Sequence, residues 1–142
     1  MKREYPDRPF IGVGAIIIEH GRVVLVKRGS EPQKGEWSIP GGLLEIGETV
    51  REAAQREARE ETGLVVETRE LLGVYDRVLP DEDGRVRYHY VLIDFLCRPI
   101  GGILGAAGDA ADARWFSPEE MRGLPLPPDT AEVIRLGFEK SK

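Results

Sequence analysis

The chain has 142 residues, of which 41% are hydrophobic and 32% are charged, and its formal net charge is −5. This length suits one domain with a sizeable core, and the composition is typical of a globular rather than a disordered protein. The acidic balance argues against sequence-independent binding to nucleic acid, because such binding depends on Lys and Arg that displace counterions from phosphates. We therefore expect a single domain over residues 1–142, with polar residues 1–9 as an N-terminal arm.

The sequence gives little indication of membrane insertion or of disulfide bonding. The longest apolar run, residues 11–18, is far shorter than the ~20 residues that a membrane-spanning helix needs. No charged-then-apolar leader precedes a small-residue cleavage site. Cys97 is the only cysteine, so a disulfide within the chain and a thiolate metal cluster are both excluded. We expect a cytoplasmic protein with no membrane partner.

The first part of the chain predicts a β-hairpin followed by a long loop. Residues 10–18 and 23–27 are β-branched runs typical of strands, and His20-Gly21 between them predicts the turn. Residues 29–47 are rich in glycine and charge and predict loop, interrupted by a short apolar segment at residues 37–39.

Residues 49–62 predict the clearest helix. Thr49 and Glu52 have the spacing of a capping box, and three alanines within the segment favour helix. Gly63 supplies the left-handed residue that commonly ends a helix.

The second half predicts two longer strands at residues 65–75 and 86–97, and large residues on both faces of the second one indicate a central strand. Residues 101–112 predict a loop and residues 113–116 a short strand. Ser117 begins a short helix, and after three prolines a last helix spans residues 129–140. Its expected N-cap is Asp129 or Thr130. The order of elements indicates an α+β protein, with mixed strands in an αβα sandwich rather than regular βαβ alternation.

The predicted helix carries acidic residues on its apolar side, where buried hydrophobic residues are expected. At 100° per residue, Glu57, Glu60 and Glu61 fall in the apolar sector. The apolar members of that sector are Val50, Ala53, Ala54 and Leu64. The alternative interpretation is that these glutamates belong to a solvated, salt-bridged face of the helix. The opposite side of the helix already supplies such a face.

Three like charges at this spacing repel one another, and more strongly where water is partly excluded. Arg56 can neutralise only one of them, so a bound divalent cation would balance the cluster. Oxygen ligands without histidine or cysteine suit Mg²⁺ or Mn²⁺ rather than zinc.

A known motif covers this helix and the loop before it. Gly42, five residues, Glu48, seven residues and then Arg56-Glu57-Ala58-Arg59-Glu60-Glu61-Thr62-Gly63-Leu64 resemble the Nudix box at every fixed position. The resemblance extends to residues 37–42 and 113–116. It implies the Nudix αβα sandwich with a mixed central β-sheet, and hydrolysis of a nucleoside diphosphate linked to a further group X.

The resemblance also implies roles for particular residues. Glu57, Glu60 and Glu61 are the implied metal ligands and catalytic carboxylates, and Arg56 would orient Glu57. Glu48 is similar to an accessory carboxylate that fixes the loop or an outer metal, and the carbonyl of Gly41 could complete a coordination shell.

The general base and the substrate contacts are less well defined by the resemblance. The base is a glutamate of the box in some members and a carboxylate of the late loop in others. Asp109 and Asp112 occupy that loop here, and we take Asp112 as the catalytic candidate. Arg28, Gly42 and Asp109 are the expected substrate contacts.

Pro80 lies sixteen residues after Leu64, a spacing similar to that of ADP-ribose pyrophosphatases, although a proline in a turn also has a structural explanation. ADP-ribose is therefore the first expected substrate, followed by other nucleoside diphosphate sugars. The alternatives are a nucleoside triphosphate pyrophosphatase and a non-catalytic nucleotide-sensing Nudix domain. The expected partner is a small nucleotide, with a homodimer as the alternative to a monomer.

Overall fold

The computed structural model describes residues 2–30 and 33–142. The predicted arm and the predicted loop are thus seen in part only, because Met1, Glu31 and Pro32 lie outside the described residues. The elements in chain order are β1 Phe10–Glu19, β2 Arg22–Arg28, β3 Trp37–Ser38, β4 Gly41–Leu43, α1 Val50–Thr62, β5 Leu64–Pro80, β6 Val86–Gly102, β7 Ala110–Phe116, α2 Pro118–Met121 and α3 Pro128–Lys140. Within the described part of the chain, no helix is both long and apolar enough to cross a membrane.

The strands form one mixed sheet in the order β3-β2-β1-β6-β5, with β4 also paired to β1 and β7 to β2. β1 and β6 are parallel, and the other pairs are antiparallel. β6 lies between β1 and β5, which confirms the prediction of a central strand. The predicted α+β fold with a mixed central sheet is likewise confirmed.

Two apolar clusters, one on each face of the sheet, form the core. Successive side chains of a strand point to opposite faces, so alternate residues of β1 belong to different clusters. The cluster beneath α1 includes Ala15, Ile17, Ala54, Ala58 and Phe95. The cluster beneath α3 includes Ile16, Ile18, Leu25, Val133 and Ile134. The sheet therefore lies between two helical layers, as in an αβα sandwich.

Local signals in the sequence define helix α1 closely. The Thr49 side chain accepts a hydrogen bond from the Glu52 N–H, and the Glu52 side chain accepts one from the Thr49 N–H. Gly63 ends the helix with φ 77°. Both predicted caps are confirmed, so α1 has a fixed start and end.

The predicted N-cap of α3 is wrong. The helix begins at Pro128 after Pro127, and no side chain makes a cap hydrogen bond. The Asp129 carboxylate instead accepts hydrogen bonds from the guanidinium of Arg77, which lies on β5. A long-range ion pair has replaced the local cap that the sequence pattern favours.

Several strands extend beyond their predicted ends. β5 and β6 continue as a long antiparallel hairpin to Pro80 and Gly102, since each supplies the other with backbone partners. β7 begins at Ala110, inside the predicted loop, and pairs with β2. β4 also forms inside a predicted loop, where it pairs with β1 and brings Gly41 and Gly42 against the sheet.

Candidate active site

Helix α1 and strand β4 meet at two glutamates and two glycines. The backbone N–H of Gly41 donates a hydrogen bond to Oε1 of Glu61 at 2.8 Å. A Cβ atom on Gly42 would lie 2.5 Å from Cδ of Glu57, so any larger residue would have to displace that carboxylate. The two glycines therefore hold the carboxylates of α1 against the sheet.

Arg56 lies at the centre of a hydrogen-bond network that ties α1 to the preceding loop. Its Nε and Nη2 atoms donate to the two carboxylate oxygens of Glu48, at 2.6 and 3.0 Å. Nη2 also donates to the carbonyl of Leu43 at 3.1 Å, and Nη1 donates to Oε1 of Glu57 at 2.8 Å. Glu48 thus fixes the loop through Arg56, and the contact by which Arg56 would orient Glu57 is in place.

The predicted inward orientation of three glutamates is correct for two of them and wrong for Glu60. The Glu57 side chain is 13% exposed, whereas the Glu60 side chain is 56% exposed. Glu61 is half-buried and bonded to Gly41. Glu60 lies at the edge of the apolar sector, where its side chain reaches water beside Arg56.

Thr62 is a second departure from the helical projection. At 100° per residue Thr62 lies about 140° from Glu57, on the side of the helix predicted to face solvent. In the structure it is fully buried. Its hydroxyl donates to the carbonyl of Ala58 and accepts from the N–H of Leu64, so the last turn of α1 is satisfied internally.

The two inward carboxyls interact strongly. Burial raises the pKa of Glu61 to about 7, and the charge and hydrogen bond of Glu57 add to the rise, while the Gly41 N–H and the charge of Arg28 oppose it. Burial also raises the pKa of Glu57 against the effect of its hydrogen bond from Arg56. Two adjacent acids that resist ionisation make a position where added positive charge would be stabilised.

A divalent metal fits this donor set, although the described residues do not by themselves form a complete set of metal ligands. Among residues 2–30 and 33–142, no group of three or more Asp, Glu, His or Cys side chains has the arrangement of a metal site. The exposed position of Glu60 explains why the trio does not converge. Glu57 and Glu61 nevertheless offer adjacent carboxylate oxygens, which are the ligands that hard cations such as Mg²⁺ and Mn²⁺ prefer.

A cleft of about 300 Å³ runs from these glycines across the sheet. Gly41, Gly42 and Arg28 line one part of it, and Asp94 and Arg77 line another. Its remaining walls include Trp37, Ile39, Tyr90, Leu92, Asp129 and Thr130. The predicted substrate contacts Arg28 and Gly42 therefore share one cavity beside the glutamates.

The late-loop carboxylates lie apart from this network. The Asp112 carboxylate pairs with Nε of Arg114 at 2.7 Å and accepts the N–H of Ala113. The backbone carbonyl of Asp109 accepts a hydrogen bond from the N–H of Gly29, the residue that follows β2. In the described part of the chain, neither carboxylate is bonded to a glutamate of α1, so their catalytic and binding roles stay predictions.

Three cleft residues were missed by the sequence analysis. Asp94 is 6% exposed within an otherwise apolar stretch of β6, and Arg77 and Asp129 form an ion pair between β5 and α3. The isolated acid in the run Val91-Leu92-Ile93-Asp94-Phe95-Leu96 was a signal that could have revealed the first of them. The ion pair joins residues far apart in the chain and had no local signal.

The mixed sheet between two helical layers and the acidic helix beside a Gly-Gly strand define the Nudix class of folds. The family model of the NUDIX domain matches residues 8–137, and the chain belongs to the Nudix hydrolase family. Over 128 residues it is 43% identical to the ADP-ribose pyrophosphatase of Methanocaldococcus jannaschii, an alignment that covers 89% of this chain and 72% of that protein.

Two solved structures extend the comparison. The MutT NUDIX hydrolase from Burkholderia pseudomallei has a TM-score of 0.78 and 30% identity, with 92% of this chain and 98% of that chain covered. A bifunctional NMN adenylyltransferase/ADP ribose pyrophosphatase from Francisella tularensis, complexed with AMP and a Mn ion, has a TM-score of 0.68 and 26% identity. The likeness covers 95% of this chain and 42% of that one.

Proposed function

We propose that the chain hydrolyses the pyrophosphate bond of a nucleoside diphosphate linked to a group X, with ADP-ribose as the first substrate. The observation that carries the proposal is the pair of inward carboxyls, Glu57 and Glu61, held beside Gly41 and Gly42 at the cleft. Structural ion pairs occur elsewhere on the molecule, but these two acids are adjacent and partly buried, and Arg56 bonds directly to Glu57.

Glu57 and Glu61 are the proposed metal ligands, with Glu60, Glu48 and the Gly41 carbonyl as further candidates. When bound, Mg²⁺ or Mn²⁺ would neutralise charge on the diphosphate and lower the pKa of a water molecule. The chain's own residues position the reacting groups. Arg56 holds the Glu57 carboxylate, and the N–H of Gly41 holds that of Glu61.

Substrate phosphate and proton transfer involve residues on the neighbouring strands. Arg28 lines the cleft and acts on Glu61 through its charge, so its guanidinium is suited to a substrate phosphate. Gly42 and Asp109 are the other proposed substrate contacts. Asp112 is the proposed base that accepts a proton from the attacking water, and Glu57 is the alternative.

The choice of ADP-ribose is supported by the archaeal relative, which is an ADP-ribose pyrophosphatase. The Pro80 spacing adds a weaker argument, because Pro80 ends β5 and pairs with Val86 at the turn of the hairpin. A nucleoside triphosphate is the second candidate substrate, because the Nudix box by itself does not define the group X.

Product analysis tests the proposal. The purified protein is incubated with ADP-ribose, other nucleoside diphosphate sugars and nucleoside triphosphates, with Mg²⁺, Mn²⁺ or EDTA, and the products are separated by chromatography. We expect AMP and ribose 5-phosphate from ADP-ribose, only with metal. Pyrophosphate from a triphosphate alone would favour the second candidate, and no turnover of any substrate would favour a non-catalytic sensor. A cytoplasmic location and a homodimer stay predictions.

A further inference from the structure

Asp94 lies on β6 at a point where the fold makes space for its carboxylate. It pairs across the sheet with Gly14 of β1. A Cβ atom on Gly14 would collide with Oδ1 of Asp94 and would lie 3.3 Å from its Cγ. A glycine therefore keeps open the position that this carboxylate occupies.

The Asp94 side chain is largely buried, and its carboxylate opens on the cleft. The residue is 6% exposed, yet the described residues leave no fully buried side-chain oxygen without a hydrogen-bond partner, so the oxygens of Asp94 are accessible from the cleft that the residue lines. Nη2 of the nearby Arg77 donates hydrogen bonds to both carboxylate oxygens of Asp129, at 2.6 Å each. A carboxylate that opens on a cleft can accept hydrogen bonds from a bound ligand. Asp94 is therefore a candidate contact for a ligand group that carries N–H or O–H donors.

The cleft that Asp94 lines combines apolar side chains with the Arg77–Asp129 ion pair, in which the guanidinium is already paired. Ile39, Leu92, Tyr90 and Trp37 line the same cleft. Pockets of this kind bind ligands by apolar contact and fix their orientation through a few polar groups. A carboxylate would repel a phosphate, whereas it accepts hydrogen bonds from N–H groups. The cleft continues to Gly41 and Gly42, so a base near Asp94 and a diphosphate near the glutamates would belong to one ligand.

We infer that Asp94 determines base specificity by accepting a hydrogen bond from the exocyclic amino group of an adenine-type nucleobase. This inference rests on the proposed function, because it assigns the nucleoside end of the same substrate. A ribose hydroxyl could also donate a hydrogen bond to this carboxylate. The test below distinguishes the hydroxyl from the amino group. Burial and the charge of Asp129 raise the pKa of Asp94 to about 6, so near pH 7 it is chiefly an acceptor.

Binding of nucleoside monophosphates tests the inference without any hydrolysis. AMP, 2′-deoxy-AMP and purine riboside 5′-monophosphate, which lacks the amino group, are titrated calorimetrically into the full chain at pH 7.5. We expect the wild type to bind AMP about 10-fold more tightly than the purine riboside nucleotide, and 2′-deoxy-AMP within about 2-fold of AMP. This comparison needs no variant.

Asp94→Leu replaces both acceptor oxygens with methyl groups in the same branched arrangement. We expect it to weaken AMP binding about 10-fold and to abolish the preference for the amino group. Its free energy of unfolding should be at least that of the wild type, whereas a residue with only a structural role would destabilise the chain when removed. Asp76→Asn is the matched control, because Asp76 lies on the neighbouring strand and should leave all three affinities unchanged.

Four results would overturn the inference: no measurable AMP binding, equal binding of AMP and the purine riboside nucleotide, wild-type discrimination in Asp94→Leu, or selective loss of 2′-deoxy-AMP binding. The last of these would assign Asp94 to the ribose instead. If AMP discrimination is present but ADP-ribose is not hydrolysed, the proposed function fails and the role of Asp94 stands. If ADP-ribose is hydrolysed but the amino group is not preferred, the proposed function stands and the role of Asp94 fails.

Discussion

The carboxylate of Glu57 occupies the space that a Cβ atom on Gly42 would need, with Oε2 only 2.8 Å from that position. Because the three nearest atoms to that position all belong to the Glu57 carboxylate, even a methyl group must displace the acid. This relationship couples the shape of strand β4 to the position of a proposed metal ligand.

Gly42→Ala should therefore lower kcat by roughly 10- to 100-fold, since displacing a reacting group by about 1 Å can have an effect of that size. Steady-state kinetics with ADP-ribose and Mg²⁺ measures the change. Gly123→Ala is the control, because a Cβ atom there meets nothing within 4 Å. Normal kcat in Gly42→Ala would show that the position of Glu57 does not limit turnover.

Glu61→Gln should lower kcat by roughly 100-fold or more, because it removes an ionic ligand at nearly constant shape. Its fold should be retained, and the exposed Glu67→Gln should behave as the wild type. The pKa of Glu61 rises from 4.5 to about 7 in the folded chain. Its ionised form is thus disfavoured there, and without metal the Gln variant should be no less stable at pH 8. Wild-type turnover would remove Glu61 from the catalytic set.

Asp112→Asn tests the general base and should lower kcat by roughly 100-fold or more if the proton passes to this carboxylate. Asp112 also forms an ion pair with Arg114 at 2.7 Å, so a variant that breaks only this ion pair is the control. Arg114→Gln leaves the carboxylate in place and should have a much smaller effect on kcat. An unchanged rate in Asp112→Asn would move the base to Glu57.

Asp94 should make stability depend on pH. Its pKa rises from 3.8 to about 6 on folding because burial and Asp129 disfavour the charged form. The folded state then binds the proton more tightly, so stability falls as pH rises between these two values and stays low above them. Asp94→Asn should exceed the wild type by roughly 1–3 kcal/mol at pH 7.5, with little difference at pH 4. Urea unfolding at both pH values measures this, and a less stable variant at pH 7.5 would contradict it.

Local sequence signals predicted the parts of the fold that local interactions decide. The capping box at Thr49 and Glu52, the stop at Gly63 and the turn at His20-Gly21 all involve residues close in the chain, and each is found in the structure. The Nudix box likewise identified the family from one continuous segment.

The remainder depends on contacts between distant segments. Strand β4 exists because Gly41 and Gly42 pair with β1, which no local propensity of glycine favours. Asp129 binds Arg77 across 52 residues instead of capping α3. The exposure of Glu60 could not be predicted, because a helical projection gives an angle but not the distance to the sheet. Asp94 stands out in the sequence as an isolated acid in an apolar strand, but its place in the cleft depends on residues from other strands.

The pairing of Glu57 with Glu61 as a site for a divalent cation is most directly tested by calorimetric titration of Mn²⁺ into the wild type and into Glu61→Gln. We predict saturable binding to the wild type, weakened at least about 10-fold in the variant. Absence of Mn²⁺ binding to the wild type, or equal affinity in both proteins, would contradict the assignment of this pair as the metal site.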